Sequence, residues 1–125
     1  MPDPRIKKLT DVLITHSLSL NPGEKVLIEL FDAPDEIATA LVDRVYEAGG
    51  LPFVQIVSNT VLRSLYKNAT DVQQELRAKH ELARMQDMDA YVAIRGAHNA
   101  LELSDVPSEK MNLVQAKMRP VQDYR

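Results

Sequence analysis

Cysteine and tryptophan are absent from this sequence of 125 residues, and aromatic residues make up only 5% of it. The absence of cysteine excludes disulfide bonds, thiolate catalysis and zinc sites with cysteine ligands. It also fits the reducing cytoplasm, where we expect the chain to be located. Because aromatic side chains are so few, we expect a core built from aliphatic residues.

Long apolar runs and an excess of positive charge are also missing. No apolar segment approaches the roughly 20 residues that a membrane-spanning helix needs, and no apolar stretch typical of a signal peptide follows Met1. The formal net charge of −3 provides no basic surface for nucleic acid or anionic lipid. We therefore expect a soluble intracellular domain that binds neither nucleic acid nor membranes.

The spacing of apolar residues predicts helices that alternate with short strands. Helices are predicted over residues 3–20, from residues 32–36 to Gly49, over 60–88 with a break near Asn68, and over 107–125. Strands are predicted over residues 25–31, 51–57 and 89–94. The order α-β-α-β-α-β-α predicts the α/β class, as a small three-layer α/β/α domain with a mainly parallel sheet of about three to four strands. The expected strand order is 2-1-3.

Particular residues mark the ends and faces of these elements. Asn21-Pro22-Gly23 ends the first helix, and Thr70 with Gln73 forms a capping box that starts the longer part of the third. The residues expected to face the core are Ile6, Leu9, Val12, Leu13 and Leu20 in the first helix, Val72, Leu76, Ala83 and Met88 in the third, and Met111, Val114 and Met118 in the last.

Phosphate-binding and phosphoacceptor motifs are missing. The turn after the first predicted strand, residues 29–34, has no glycine, so its backbone cannot closely approach a pyrophosphate, and Asp32, Asp35 and Glu36 would repel one. A phosphoacceptor domain would need an aspartate at the end of the third strand, where this chain has Arg95. Both classes of function are therefore disfavoured.

Histidines and paired carboxylates give no self-contained catalytic cluster. His16 is expected on the face of the first helix, and His80 on a solvated, highly charged helix face. The acids at Asp35 and Glu36 suit the first turn of a helix, and those at residues 87 and 89 suit a helix-to-strand turn.

Arg95, His98 and Asn99 are the candidate functional residues. They lie just beyond the carboxyl end of the third predicted strand, at the edge where open α/β sheets bind ligands. We interpret them as residues of a domain junction or a cavity wall. The alternative is a simple turn in which Gly96 adopts a positive φ and Asn99 caps the next segment.

Several stretches together carry a resemblance to a known family. They are Arg5–Leu9, Leu20–Ile28, Tyr46–Val54, Ala90–Gly96, Asn99–Leu101, Val106–Lys110 and Arg119–Pro120. Each stretch alone contains residues that are common in strands and turns, but together they occur in the order and spacing of the family and span essentially the whole chain. In this combination the sequence resembles the start of the aminopeptidase T (aminopeptidase S) family of metallo-aminopeptidases.

The resemblance implies that residues 1–125 form the N-terminal α/β domain of a larger enzyme. Members of the family remove the N-terminal residue from peptides with two divalent metal ions of the zinc, cobalt or manganese class, and they form dimers. Their metal ligands are carboxylates and histidines of a C-terminal catalytic domain, the implied partner of this chain. No position here matches those ligands, so the resemblance implies no catalytic or metal-binding residue, and we expect the chain alone to be inactive.

Two alternatives stay open from the residues alone. One is a self-contained, flavodoxin-like module that binds a small molecule, and the other is a structural or oligomerisation domain. The missing glycine-rich loop argues against the module, as does a last helix that reaches Arg125 without a capping residue. A domain that normally contacts a partner domain should expose an apolar patch, which provides a structural test.

Overall fold

The computed structural model describes residues 4–17, 19–96 and 106–124. Helix α1 (Pro4–Val12) continues into a π-helical turn (Leu13–Ser17). The following elements are β1 (Lys25–Phe31), α2 (Asp35–Glu47), β2 (Leu51–Val57), α3 (Asn59–Lys67), α4 (Asp71–Gln86), β3 (Ala90–Arg95) and α5 (Ser108–Tyr124). The three strands match their predicted bounds to within one residue, and the predicted helix break near Asn68 is confirmed.

Within the described residues, the three strands form one parallel sheet in the order β2-β1-β3. This order confirms the prediction 2-1-3. β1 is central, and its pairing with β3 runs from Val26 opposite Ala90 to Phe31 opposite Arg95. Helices that alternate with parallel strands confirm the α/β class, and the element order is that of a small three-layer α/β/α domain.

The chain divides into two compact units, and the first contains the sheet (residues 1–56 and 88–96). Its core lies on one face of the sheet, where alternate β1 residues contact α2 and the π-helical turn. The buried members are Ile14, Val26, Ile28, Leu30, Ala38, Leu41, Val45 and Val92. Leu41 and Val45 are 0% exposed, and burying such a side chain contributes about 1.5–3 kcal/mol.

The first helix differs from its predicted extent and face. It was expected to run over residues 3–20 with Leu9 and Val12 inward, but both are exposed, whereas Thr10 and Ile14 are buried. Thr10 can be buried because its hydroxyl donates a hydrogen bond to the Lys7 carbonyl at 2.9 Å. The inward stripe thus passes through a polar residue, which the apolar pattern did not reveal.

β2 lies at an edge of the sheet. The Leu51 N–H donates to the Glu24 carbonyl at 2.8 Å, so the nitrogen of the next residue, Pro52, faces away from β1. There its missing N–H breaks no ladder bond, as predicted for the start of a strand. This strand exposes apolar side chains on both of its faces, namely Leu51, Phe53, Val54 and Ile56.

The second unit (residues 57–87 and 97–125) consists of α3, α4 and α5 within its described part. Its core is formed by Tyr66, Ala69, Ala78, Val106, Val114, Met118 and Val121. Thr70 and Gln73 form the predicted capping box at the start of α4. Met111, Val114 and Met118 lie on the inward side of α5, as predicted.

The predicted inward face of α4 is wrong. Val72 and Leu76 are 76% and 54% exposed, and Ala83 is also exposed. The buried side chains on this helix are those of Gln74, Ala78 and Met85. Gln74 is tolerated inside because its side-chain oxygen accepts a hydrogen bond from Arg77 at 3.1 Å. The small side chain of Ala78 suits the contact between α4 and α5.

Candidate functional site at the carboxyl edge of the sheet

β1 and β3 end side by side at the carboxyl edge of the sheet. Phe31 and Arg95 are paired at the last position of the ladder. The N–H of the following residue, Gly96, donates to the Phe31 carbonyl at 2.7 Å. Because the two strands are parallel, both chains leave the sheet here, at the edge where α/β proteins usually bind ligands.

The backbone is closely packed directly beyond these strands. Asp32 adopts φ +56°, a left-handed conformation that is uncommon for a residue other than glycine. A Cβ atom built on Gly96 would lie 2.6 Å from the Asp32 carbonyl oxygen and 3.1 Å from that of Phe31. A glycine is therefore required at residue 96 by the close approach of the two chains, and not by a positive φ.

Arg95 presents its guanidinium group at this edge. The side chain is exposed, and its Cζ atom lies 4.2 Å from the centre of the Phe31 ring. Phe31 is itself only 8% exposed, so the ring is a fixed support for the cation. Stacking of this kind orients a guanidinium group and leaves its N–H donors free at the sides.

A buried carboxylate lies on the same face of the sheet. Residues Leu27, Glu29 and Phe31 of β1 alternate onto the face opposite the Leu41 core, and Glu29 is 3% exposed. Glu29 was not among the functional residues predicted from the sequence. The available signal was the single acidic residue of β1, which lies between apolar neighbours. A buried carboxylate needs polar contacts to offset its desolvation.

The three candidate residues from the sequence have different outcomes. Arg95 ends β3, as expected, and lies beside Phe31. His98 and Asn99 lie outside the described residues, so their part in the site stays a prediction. The interpretation of Gly96 as a residue with positive φ is wrong, because its role is to allow close approach.

The structure also locates the other residues that were singled out in the sequence. His80 is exposed on α4, and His16 lies in the π-helical turn. Asp35 and Glu36 occupy the first turn of α2, as predicted. Asp89 has a more specific role, because its Oδ2 atom accepts a hydrogen bond from the Lys25 N–H at 2.9 Å and fixes the start of β1.

A groove of about 130 Å³ lies between α1 and α2. One of its two lining cations, Arg44, is engaged by Asp11 at 2.8 Å and by the Thr15 hydroxyl at 3.1 Å. Charges that satisfy one another in this way hold the two helices together.

The described side chains do not fit a metal ion. Among residues 4–17, 19–96 and 106–124, no three histidine, aspartate or glutamate side chains lie close enough to share one. In the same ranges, none of the helices is both long and apolar enough to cross a membrane. At the carboxyl edge, the described side chains place a cation, Arg95, beside an aromatic ring, Phe31.

Comparison with known proteins identifies the family. A model of the thermophilic metalloprotease (M29) family matches residues 2–124. Among solved structures, wild-type AmpT from Thermus thermophilus has a similar fold, with a TM-score of 0.73 and 17% sequence identity over 95% of this chain. That match covers 32% of the AmpT chain, so this sequence spans about a third of its length. A search of curated proteins gives no significant match. Because the family model covers nearly every residue, the chain belongs to the thermophilic metalloprotease (M29) family, which confirms the resemblance found in the sequence.

Proposed function

We propose that this chain is the non-catalytic N-terminal domain of a metal-dependent aminopeptidase that removes N-terminal residues from peptides. The observation that carries the proposal is the family match over residues 2–124 in a chain whose described side chains do not fit a metal ion. A hydrolase of this family needs metal ligands, so we assign them to a separate catalytic domain. That domain would hold two divalent ions of the zinc, cobalt or manganese class.

The domain proposed here acts as a support and as one wall of the substrate cavity. The carboxyl edge is the surface best suited to this role, because it carries an exposed cation that has no acidic partner in the described ranges. In this proposal Arg95, His98 and Asn99 line the junction with the catalytic domain.

The exposed apolar residues of β2 support an additional contact. Phe53 and Ile56 are 43% and 66% exposed, on opposite faces of an edge strand that has no charged residue. Soluble domains seldom expose contiguous apolar surface unless it is an interaction site. We propose that this strand is covered in the assembled enzyme, which we expect to be a cytoplasmic homodimer.

The first experiment is the intact mass of the protein captured from its source cells with an antibody against this chain. A mass well above 14.1 kDa is expected. The longer protein should then release leucine from a leucyl anilide, lose that activity in EDTA, and regain it with cobalt, manganese or zinc. A mass of 14.1 kDa, or a longer protein whose hydrolysis is unaffected by chelation, would contradict the proposal.

A second measurement separates this proposal from the self-contained, flavodoxin-like module. The 125-residue chain should show no leucyl anilide hydrolysis with any of the three metals. It should self-associate through its exposed apolar surface in sedimentation velocity at increasing concentration. A highly stable monomer at all concentrations would favour a self-contained binding module instead.

A further inference from the structure

We propose that Arg95 binds a carboxylate group at the carboxyl edge of the sheet. This inference deepens the proposed function and rests on it, because it names the chemistry by which this domain contacts a substrate or the catalytic domain. The carboxylate comes either from the free C-terminus of a short peptide substrate or from an acidic side chain elsewhere in the same enzyme. The experiment below distinguishes these two sources.

The geometry of Arg95 is suited to binding an anion. Its Cζ atom lies 4.2 Å from the centre of the Phe31 ring, so one face of the guanidinium group is covered while the N–H donors at its sides stay accessible. Phe31 is buried and is paired with Arg95 in the ladder, so both residues are held by the sheet. An arginine held in this way loses less conformational freedom on binding than a mobile one.

The donors of Arg95 have no acceptor in the described part of the chain. The contact with Phe31 is the interaction that the structure shows for its guanidinium group. By contrast, the guanidinium groups of Arg44 and Arg77 are each paired with a carboxylate. An exposed, oriented and unpaired arginine is therefore distinctive among the arginines that make described side-chain contacts.

The surrounding charges favour a carboxylate over a phosphate. Asp32 follows Phe31 directly, and Glu29 lies on the same sheet face two residues before it. Both acids make contacts of their own. Acidic side chains so close along the chain repel a dianionic phosphate more strongly than a singly charged carboxylate, and one carboxylate can accept both parallel N–H donors of one guanidinium group.

The test uses the longer enzyme with the variants Arg95→Ala, Arg95→Lys and, as a matched control, Arg119→Ala on the exposed side of α5. Each is assayed with Leu-Gly-Gly and with its C-terminal amide. If the carboxylate comes from the substrate, Arg95→Ala should raise KM for the free peptide about tenfold. The kcat for the free peptide, and both constants for the amide, should be unchanged. Arg95→Lys should recover only part of the lost affinity for the free peptide, because lysine lacks the bidentate geometry.

A carboxylate from the enzyme itself predicts a different pattern. Arg95→Ala should then lower the melting temperature and reduce kcat/KM equally for the free peptide and the amide, while Arg119→Ala changes neither. If Arg95→Ala matches the wild type in both kinetics and melting temperature, the proposal is wrong.

A binding measurement keeps this inference separate from the proposed activity. The Arg95 Nε–H resonance is followed by NMR while N-acetylglycine or its methylamide is added to the wild-type enzyme. For a site open to substrate, the resonance shifts with the acid and not with the amide. If an acidic side chain of the enzyme already fills the site, the Arg95 Nε–H resonance should have the position typical of a paired arginine before any acid is added. A resonance that is typical of a solvated arginine and unmoved by the acid overturns the proposal, whether or not the enzyme hydrolyses leucyl anilide.

Discussion

Replacement of Gly96 by alanine tests how the carboxyl edge is built. The new Cβ atom would lie 2.6 Å from the Asp32 carbonyl oxygen and 3.2 Å from the Asp32 carbonyl carbon. Both are backbone atoms, so no side-chain rotation relieves the clash. The hydrogen bond from the Gly96 N–H to Phe31, at 2.7 Å, holds the two chains at this distance. The edge must therefore separate by several tenths of an ångström.

The expected loss in the free energy of unfolding is that of an overpacked site. Forced backbone shifts in a packed site typically cost about 1–3 kcal/mol, a large part of the roughly 5–15 kcal/mol that stabilises a domain. For a chain of this length each kcal/mol corresponds to roughly 3–5 °C in Tm. We therefore expect Gly96→Ala to lower Tm by roughly 3–15 °C. Thermal denaturation followed by far-UV circular dichroism measures this change in a protein without tryptophan, and urea denaturation gives the corresponding free energy.

Gly23 provides the matched control, because its requirement for glycine is conformational. It has φ +84°, and an added Cβ atom meets nothing within 4 Å. Gly23→Ala should cost about 1 kcal/mol, and Gly23→Asn should recover part of that loss because asparagine tolerates this conformation. Gly96→Asn should recover nothing. The reasoning is refuted if Gly96→Ala is as stable as the wild type or if asparagine restores stability at residue 96.

Three further predictions concern the two units. Leu41→Ala should destabilise the protein by about 3–5 kcal/mol because Leu41 is 0% exposed. Val72→Ala, at an exposed position, should change the urea midpoint little. Equal effects of the two substitutions would contradict the assigned core. Thr70→Ala should cost about 1 kcal/mol by removing the capping box of α4, and Thr70→Ser should not; urea denaturation of both variants checks this. The hydrogen bond from Lys117 to Glu75 raises the pKa of Lys117 above 10.5, so its stabilising contribution is present below that pH and is lost as pH rises through the raised pKa. Glu75→Gln should lower the pKa of Lys117 in an NMR titration, and an unchanged value would exclude this cause.

Local sequence signals predicted the elements well because each depends on neighbouring residues. The strand β1 and the turn at Pro22-Gly23 lie where composition and turn chemistry placed them. The capping box at Thr70 was predicted because its two partners are three residues apart. The expected strand order 2-1-3 was a preference that did not rest on particular residues, and the sheet has that order.

The inward faces of two helices were not predictable from apolar residues alone. α1 buries Thr10 and α4 buries Gln74, and each is accepted because a hydrogen bond satisfies its side chain. These bonds depend on the geometry of the folded helix. A count of hydrophobic residues therefore assigns the inward face to the wrong side whenever a satisfied polar residue lies at its centre.

The candidate site was predicted in part. The position of Arg95 followed from the rule that ligands bind at the carboxyl edge of parallel strands, but its contact with Phe31 joins residues from different strands. The contact requires the register of β1 against β3, which the sequence does not specify. The buried Glu29 was missed for the same reason, because its surroundings are assembled from separate parts of the chain.

The role proposed for this domain requires that the groups at its carboxyl edge are held in position. The carboxyl edge has the features that such a role needs. Asp32 in a left-handed conformation and the close approach of Gly96 fix where β1 and β3 end. Phe31 then fixes where the guanidinium group of Arg95 lies. Each of these contacts constrains backbone or ring geometry, which is what a surface that positions another group requires.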